Sequence, residues 1–425
     1  MFNFLNKDIN KLLVSITFFL LIILIINNEL VSKIIWWFPE LFGDYKLPIK
    51  WLECTNLGFN YYENKEEFIG CSKRSFLYGK IFLEIPYTER LNFFYNNILP
   101  YILIYLSIYL IIKIFNIHSL TSLAILTLVV FNPSTFFIFS SLNIDVLIFI
   151  LLIFTSLNRI YFINWFIYFF LTFVKIYPII LFLNIFFENH KRNIGRILII
   201  FLIMFMVSLS YLYFNFSEYV YMFSNISGNK AGYHYLFSLN SFAKIGKYLF
   251  NLNYIFLLFI TYSIFFYLIT KTFKKINLGF SEISDQNIFF YSSEFKLFII
   301  SSYVSITCYI FFSNFFHREI FLIGTFPLIF KLDEIFKKFP IKLIINLYLI
   351  KLIYSYFYSY FNVNDGIQYI NDERVFSSLF IIIIIIKSSI DYMLMILISA
   401  LSLYYTNRYL NVFKKKILNF RQIEY

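Results

Sequence analysis

The sequence predicts an all-α, polytopic transmembrane helical bundle of about 12 spans, within a range of roughly 10–14. Its 425 residues are 60% hydrophobic and only 14% charged, with a mean hydropathy of +0.73. Soluble domains carry roughly 25% charged residues. Apolar runs close to the roughly 20 residues that a helix needs to cross a bilayer recur along the chain. These runs are continuous, which favours helices over the alternating strands of a barrel.

The candidate spans follow these apolar runs, and we treat residues 1–425 as a single integral membrane domain. They lie at roughly 11–27, 98–115, 119–139, 145–157, 160–175, 176–188, 196–214, 252–270, 296–313, 319–332, 341–361 and 375–405. Segment 160–188 is too long for one span and contains Lys175 and Pro178 near its middle. We expect a hairpin of two short helices there, and a single kinked helix is the alternative.

The basic residues predict the orientation of the chain. Lys7 and Lys11 precede the first span, and further basic residues fall in alternate connections and in the C-terminal tail: Lys191, Arg192, Arg196, Lys271, Lys274, Lys275, Lys331, Lys337, Lys338, Arg408, Lys414, Lys415, Lys416 and Arg421. The positive-inside rule then places both termini in the cytoplasm, and we expect a bacterial inner (plasma) membrane protein. Topology and anionic lipid explain the net charge of +12, so no nucleic-acid partner is indicated.

Two extracytoplasmic loops are large, at about 28–97 and about 215–250. The first nearly balances its acids against its bases and is rich in aromatic residues, which predicts a folded cap on the membrane. It contains Cys54 and Cys71, two of three cysteines. On the oxidising side these could form a disulfide worth about 3 kcal/mol, and two free thiols are the alternative. Cys308 lies in an apolar run and is predicted to pack in the core.

One acidic residue directs attention to chemistry at the membrane surface. Asp44 follows the first apolar run in an aromatic segment, Trp36 to Tyr45. A carboxylate held there is placed where a lipid-dependent glycosyltransferase needs a base. The alternative is a solvated loop acid beside an interfacial belt of Trp36, Trp37 and Trp51.

Four short stretches between residues 43 and 321 carry a family resemblance. They are Gly43-Asp44 with the later Tyr78-Gly79, then Ser140 to Asp145 opening a helix, then Lys175-Ile176-Tyr177-Pro178, then Asn314 to Phe321 with Arg318. In this order they resemble the GT-C superfamily of membrane glycosyltransferases, in particular bacterial polyprenyl-phosphate-mannose-dependent α-mannosyltransferases. Leu142 departs from the family's small residue before Asn143, and Gly43 departs from the commoner alanine.

The resemblance implies a hexosyltransferase that moves a sugar such as mannose from a polyprenyl-phosphate donor to an acceptor hydroxyl. Its partners are then the lipid-linked sugar donor, a glycan or glycolipid acceptor and membrane lipids. The implied catalytic base is Asp44, acting in an inverting reaction. Lys175, Arg318 and His317 are implied for the donor phosphate, and Tyr78, Asn143, Asp145, Asn314 and His234 for substrate binding. No second acid of the DxD kind stands beside Asp44, so neither a metal nor a cofactor is expected.

Structural roles remain open for these residues. Lys175 could extend its amine to the headgroups, Arg318 could pair with Glu319, and Asn143 and Asp145 could simply begin a helix. The i to i+4 pair Lys387 and Asp391 lies in the last apolar run and is predicted to neutralise itself within the bundle.

Two other function classes remain open. A lipid-linked sugar flippase or transporter should show repeated halves and paired Gly/Pro-broken helices, whereas the chain has 11 glycines, 8 prolines and no evident repeat. A lipid-linked oligosaccharide polymerase or ligase shares the lipid-linked substrate, but its large outer loop usually comes late in the chain. Here the large loop follows the first span, which favours the glycosyltransferase interpretation.

Overall fold

The computed structural model describes most of the chain after residue 41. The described residues are 16, 19–20, 23, 27, 42–58, 80–114, 127–129, 132–175, 177–185, 194–217, 220, 236–279, 290, 292–311, 314–336, 339–364, 367–370 and 373–421. Helices dominate this part, together with two short antiparallel strand pairs. The predicted span at 11–27 lies largely outside the described residues.

The first half of the described chain is helical throughout. Its α-helices are α1 (Gly43–Asn56), α2 (Glu89–Asn97), α3 (Leu99–Ile114), α4 (Pro133–Ser141), α5 (Ile144–Leu157), α6 (Tyr161–Val174) and α7 (Ile194–Phe214). Two 3₁₀ segments, Lys80–Glu84 and Tyr177–Leu183, precede α2 and follow α6 respectively.

The second half adds the strands and the longest helices. Its elements are β1 (Leu236–Phe237), α8 (Asn240–Phe250), α9 (Tyr254–Gly279), α10 (Ser293–Phe311), β2 (Asn314–Phe315), a 3₁₀ turn (Phe316–Glu319), α11 (Ile320–Ile323), α12 (Phe326–Phe336), α13 (Phe339–Asn364), β3 (Ile367–Ile370), β4 (Glu373–Phe376) and α14 (Ser378–Arg421). β1 pairs with β2 and β3 pairs with β4, both antiparallel.

The predicted count of about 12 spans is not confirmed. Within the described residues, five helices are long and apolar enough to cross a membrane: Ile197–Phe214, Tyr254–Leu278, Ser293–Phe311, Pro340–Tyr358 and Ser378–Asn411. The pair α2 and α3, bent by 41°, makes a sixth if it is one span. α5 and α6 have 14 residues each, or about 21 Å of helix against about 30 Å of hydrocarbon. The described part of the chain therefore has the helices of a membrane protein, with five to six candidate spans.

Segment 160–188 is divided into two short pieces, as the position of Lys175 and Pro178 predicts. α6 ends at Val174, and a 3₁₀ segment occupies Tyr177–Leu183. The two pieces pack against each other, which agrees with a hairpin. Similarly, the predicted span at 319–332 is divided between α11 and α12, which are separated by Gly324 and Thr325.

The bundle has a central helix and a lipid-facing periphery. In α10, 67% of the candidate span is buried inside the protein, against 11% in α7 and 11% in α9. α10 packs against α5, α14 and the 3₁₀ segment Tyr177–Leu183. The apolar side chains of α7 and α9 therefore face outward, where acyl chains would solvate them.

The cysteine predictions are met where the residues are described. Cys54 is disulfide-bonded and buried on α1. Cys71, its predicted partner, lies outside the described residues. Cys308 is a free thiol buried in α10, within the main hydrophobic core. α1 is therefore covalently tied to another part of the chain.

The predicted orientation makes a labelling experiment informative. In intact cells, a membrane-impermeant maleimide should label the 28–97 loop only after reduction, because the predicted orientation places this loop outside the cytoplasm and Cys54 is disulfide-bonded. Cys308 should stay unlabelled, because it is buried in the core. A C54S/C71S variant supplies the matched control, with no labelling before or after reduction. Labelling that requires cell lysis would reverse the orientation.

Gly324 permits a close helix approach beside the candidate site. A Cβ at this position would lie 2.1 Å from Ser301 Oγ and 2.8 Å from Ser301 Cβ on α10. Gly324→Ala should therefore lower the stability of the solubilised protein by about 1–3 kcal/mol, the usual cost of overpacking. Thermal unfolding in detergent measures this change. Gly246→Ala is the control, since its Cβ would meet only the end of the flexible Leu257 side chain, at 3.0 Å. Equal stability of the two variants would contradict the prediction.

Candidate functional site

Asp44 lies at the start of α1, where the backbone is fixed by another helix. Phe42 precedes α1 with a left-handed φ of 60°, and its N–H donates to the Ser140 carbonyl at 2.7 Å. This contact places the first turn of α1 against the end of α4. The Asn143 amide then donates through Nδ2 to Asp44 Oδ2 at 3.1 Å. Two residues that are 99 positions apart, and that were both predicted as site residues, are thus in direct contact.

Asn143 has two roles in this arrangement. Its Oδ1 accepts a hydrogen bond from the Asp145 N–H at 3.1 Å, which makes Asn143 the N-cap of α5. Its other amide atom holds Asp44. The helix cap that was predicted as the alternative role of Asn143 is present. The same side chain also contacts a second carboxylate, that of Asp44.

Leu142 is held in an unusual backbone conformation between α4 and α5. Its φ is 47°, in the left-handed region that favours glycine. It stands at the position where the resembled family has a small residue. Such a conformation costs a bulky residue on the order of 1 kcal/mol or more. The buried Leu142 side chain in the core offsets that cost and keeps the turn that presents Asn143.

Asp145 connects the two predicted phosphate-binding cations. Its side chain is fully buried in the first turn of α5. Asp145 Oδ1 accepts a hydrogen bond from Lys175 Nζ at 2.5 Å, and Arg318 Nε lies 3.7 Å from Asp145 Oδ2. A buried carboxylate is stable only when it is paired, and this one is paired with two cations. Residues from three separate motifs therefore meet at one carboxylate.

Lys175 is positioned by the break after α6. It has an extended backbone, with φ −145° and ψ 148°, and its N–H bonds to the Leu171 carbonyl. The lysine then leaves the helix sideways, toward α5. Burial lowers the pKa of the Lys175 amine, Asp145 opposes this shift, and Arg318 adds to it. The Lys175 side chain is only 11% exposed.

Arg318 is presented by a short irregular segment. β2 pairs with β1, in register Leu236 to Phe315 and Phe237 to Asn314, and the 3₁₀ turn with Arg318 follows directly. The end of the second large loop is thereby attached to the segment that carries Arg318. The Arg318 side chain is 16% exposed, so it is directed into the protein.

Glu319 makes ion pairs with two lysines, which the predicted alternative of a simple Arg318–Glu319 pair does not include. It contacts Lys351 Nζ at 2.9 Å and Lys387 Nζ at 3.3 Å. Both lysines also contact Asp391, Lys387 at 3.0 Å. The predicted Lys387–Asp391 pair is present, but it is half of a larger cluster. The sequence analysis did not identify Lys351. Its position near the centre of the apolar run 341–361 was the feature that could have indicated a buried ion pair.

Tyr45 is a further neighbour that sequence reasoning missed. It directly follows Asp44, and its ring packs in the cluster that contains Ile144 and Val174. These two residues adjoin Asn143, Asp145 and Lys175 in the sequence. Burial raises the pKa of the Tyr45 hydroxyl. Its position directly after Asp44 was the only feature of the sequence that indicated a place near the site.

Several predicted residues are not placed by the structure. Tyr78 and His234 lie outside the described residues. Asn314 belongs to β2 and His317 to the 3₁₀ turn, so both share a segment with Arg318, but their side chains are outside the described part. In that part, no group of three His, Cys, Asp or Glu side chains has an arrangement that could hold a metal ion.

Comparison with known proteins gives no match: no protein-family model, no curated protein and no solved structure is similar to this chain. The interpretation of the site therefore rests on its own geometry and chemistry.

Proposed function

We propose that this protein is an integral-membrane glycosyltransferase that transfers a hexose, such as mannose, from a polyprenyl-phosphate donor to an acceptor hydroxyl on the extracytoplasmic side. The observation that carries the proposal is the contact chain from Asp44 through Asn143 and Asp145 to Lys175 and Arg318. It joins a candidate base to two candidate phosphate-binding cations. Separate structural roles for these five residues would not require them to meet.

The reaction needs a base for the acceptor. The acceptor oxygen bonds to the anomeric carbon of the sugar while the bond from that carbon to the phosphate oxygen breaks, and polyprenyl phosphate leaves with the electron pair. The acceptor proton goes to the Asp44 carboxylate. The Asn143 amide donates to Asp44 Oδ2 and so orients the carboxylate that accepts the proton. Attack opposite the phosphate would invert the anomeric configuration.

The leaving phosphate needs positive charge. Lys175 and Arg318 both contact Asp145, so this site has two positive charges and one negative charge. A phosphate brings oxygens that these donors can bind with charge-assisted hydrogen bonds. Because the cations are already positioned, little reorganisation is required when charge develops on the leaving group. Asp145 is assigned a positioning role for both.

The test is sugar transfer by the purified full-length protein in liposomes. Polyprenyl-phosphate hexoses that carry a radiolabelled sugar are supplied with glycolipid acceptors, and labelled product is measured. Wild-type protein should form product, and the same preparation of Asp44→Asn protein should not. Movement of the intact labelled donor across the bilayer without product would instead identify a flippase. Absence of both would contradict the proposal for the donors supplied.

A further inference from the structure

Four buried charges form a closed ring beside the candidate site. Glu319 and Asp391 each contact both Lys351 and Lys387, so that acids and bases alternate around the ring. The negative charges of the two acids balance the positive charges of the two lysines, and each of the four side chains is at most 11% exposed. Ionisable groups inside membrane helices are costly, and they are retained mainly where they have a use.

The ring connects three parts of the chain. Lys351 lies near the middle of α13, Lys387 and Asp391 lie on α14, and Glu319 ends the 3₁₀ turn before α11. Lys351 also lies 5.4 Å from the Phe237 ring in β1, the strand that pairs with β2. The two membrane helices thus contact this segment through Glu319, whereas α5 contacts it through Arg318.

Glu319 is the ring member that affects the site, because it adjoins Arg318. Neighbouring side chains in a 3₁₀ turn point about 120° apart. Arg318 accordingly reaches Asp145 on α5, while Glu319 reaches the lysines of α13 and α14. Consecutive Cα atoms are about 3.8 Å apart, so fixing Glu319 also fixes the origin of the Arg318 side chain.

We propose that Glu319 is a positioning residue: through Lys351 and Lys387 it anchors the turn that presents Arg318 to Asp145. Asp391 keeps the two lysines neutralised and has no direct link to the site. The anchoring follows from the contacts alone. Its consequence for donor use rests on the proposed function.

Two matched double variants separate anchoring from charge balance. Glu319→Leu with Lys387→Met leaves the neutral pair Lys351 and Asp391, and releases the turn. Asp391→Val with Lys387→Met leaves the neutral pair Lys351 and Glu319, and so keeps the shorter of the two anchoring contacts, at 2.9 Å. Both replace one buried acid and one buried lysine by apolar side chains, a change that proteins often tolerate.

Hydrogen exchange of the full-length protein in detergent measures directly how firmly the turn around Glu319 is held. Backbone amides of residues 314–323 should exchange about 10- to 100-fold faster in E319L/K387M than in wild type, as expected for lost charged hydrogen bonds. D391V/K387M should exchange as wild type does. Equal exchange in the two doubles, whether fast or slow, would overturn the proposal. Should E319L/K387M not fold, E319Q is compared with D391N, which also removes one acid from the ring.

Kinetics supplies the second readout. E319L/K387M should raise the donor KM by about 10-fold with the acceptor KM unchanged, while D391V/K387M keeps both constants. A change confined to acceptor KM, or shared by both doubles, would overturn the positioning role. If wild-type protein transfers no sugar, the proposed function fails, and the exchange comparison still decides the role of Glu319.

Discussion

Asp44→Asn is expected to lower the rate of sugar transfer by about 100- to 10,000-fold, the usual contribution of a positioned general base. The amide keeps the size of the side chain and its contact with Asn143, but it cannot accept the acceptor proton at neutral pH. Expression, detergent stability and binding of the lipid donor should stay as in wild type. The measurement is the steady-state initial rate of transfer with donor and acceptor both saturating, so that kcat is obtained without a contribution from binding.

A matched control for this variant lies on the same helix. Glu53 is an exposed acid of α1, so Glu53→Gln removes the same charge nearby and should leave the rate unchanged. Asn143→Ala provides a graded intermediate, because it leaves the Asp44 carboxylate in place without its hydrogen-bond donor. Transfer by Asp44→Asn at the wild-type rate would show that Asp44 is not the base, and the proposed mechanism would be wrong.

The meeting of the site residues was largely predictable from the order of the motifs. Asp44, Asn143, Lys175 and Arg318 each follow an odd-numbered apolar run, so the predicted topology places all four at the same end of the bundle. The structure brings these segments together through Asp145 and the strand pair β1 and β2. Their shared end therefore followed from counting apolar runs, even though the count of complete spans is not confirmed.

The span count is not confirmed, and within the described residues one reason is that hydropathy reports apolarity and not helix length. α5 and α6 are as apolar as membrane spans but are separated by the polar turn at 158–160. Most of the charge ring could not be predicted from the sequence either. The i to i+4 spacing reveals Lys387 with Asp391, whereas Glu319 and Lys351 acquire partners 32 to 68 positions away only through packing. Pairing of that kind depends on tertiary contacts, which no local pattern encodes.

Neutralising either cation at Asp145 is expected to impair use of the lipid donor far more than use of the acceptor. Lys175→Met and Arg318→Met each remove a charge-assisted contact to the phosphate, worth roughly 1.5–3 kcal/mol, or about 10- to 100-fold in donor kcat/KM. The measurement varies donor and acceptor concentrations separately. Arg318→Lys keeps the charge without the planar fork and should fall between wild type and Arg318→Met.

Each single variant leaves Asp145 with one cation, because Lys175→Met keeps the contact with Arg318 and Arg318→Met keeps the contact with Lys175. The buried carboxylate stays paired, so both variants should fold, and thermal unfolding in detergent checks their stability. Weakened donor use in protein of wild-type stability is then due to the missing cation and not to misfolding. Lys331→Met is the control for loss of a lysine, since Lys331 pairs with Glu294 away from the site. Wild-type donor use in stable Lys175→Met and Arg318→Met proteins would make both cations structural, and the phosphate would then be bound elsewhere.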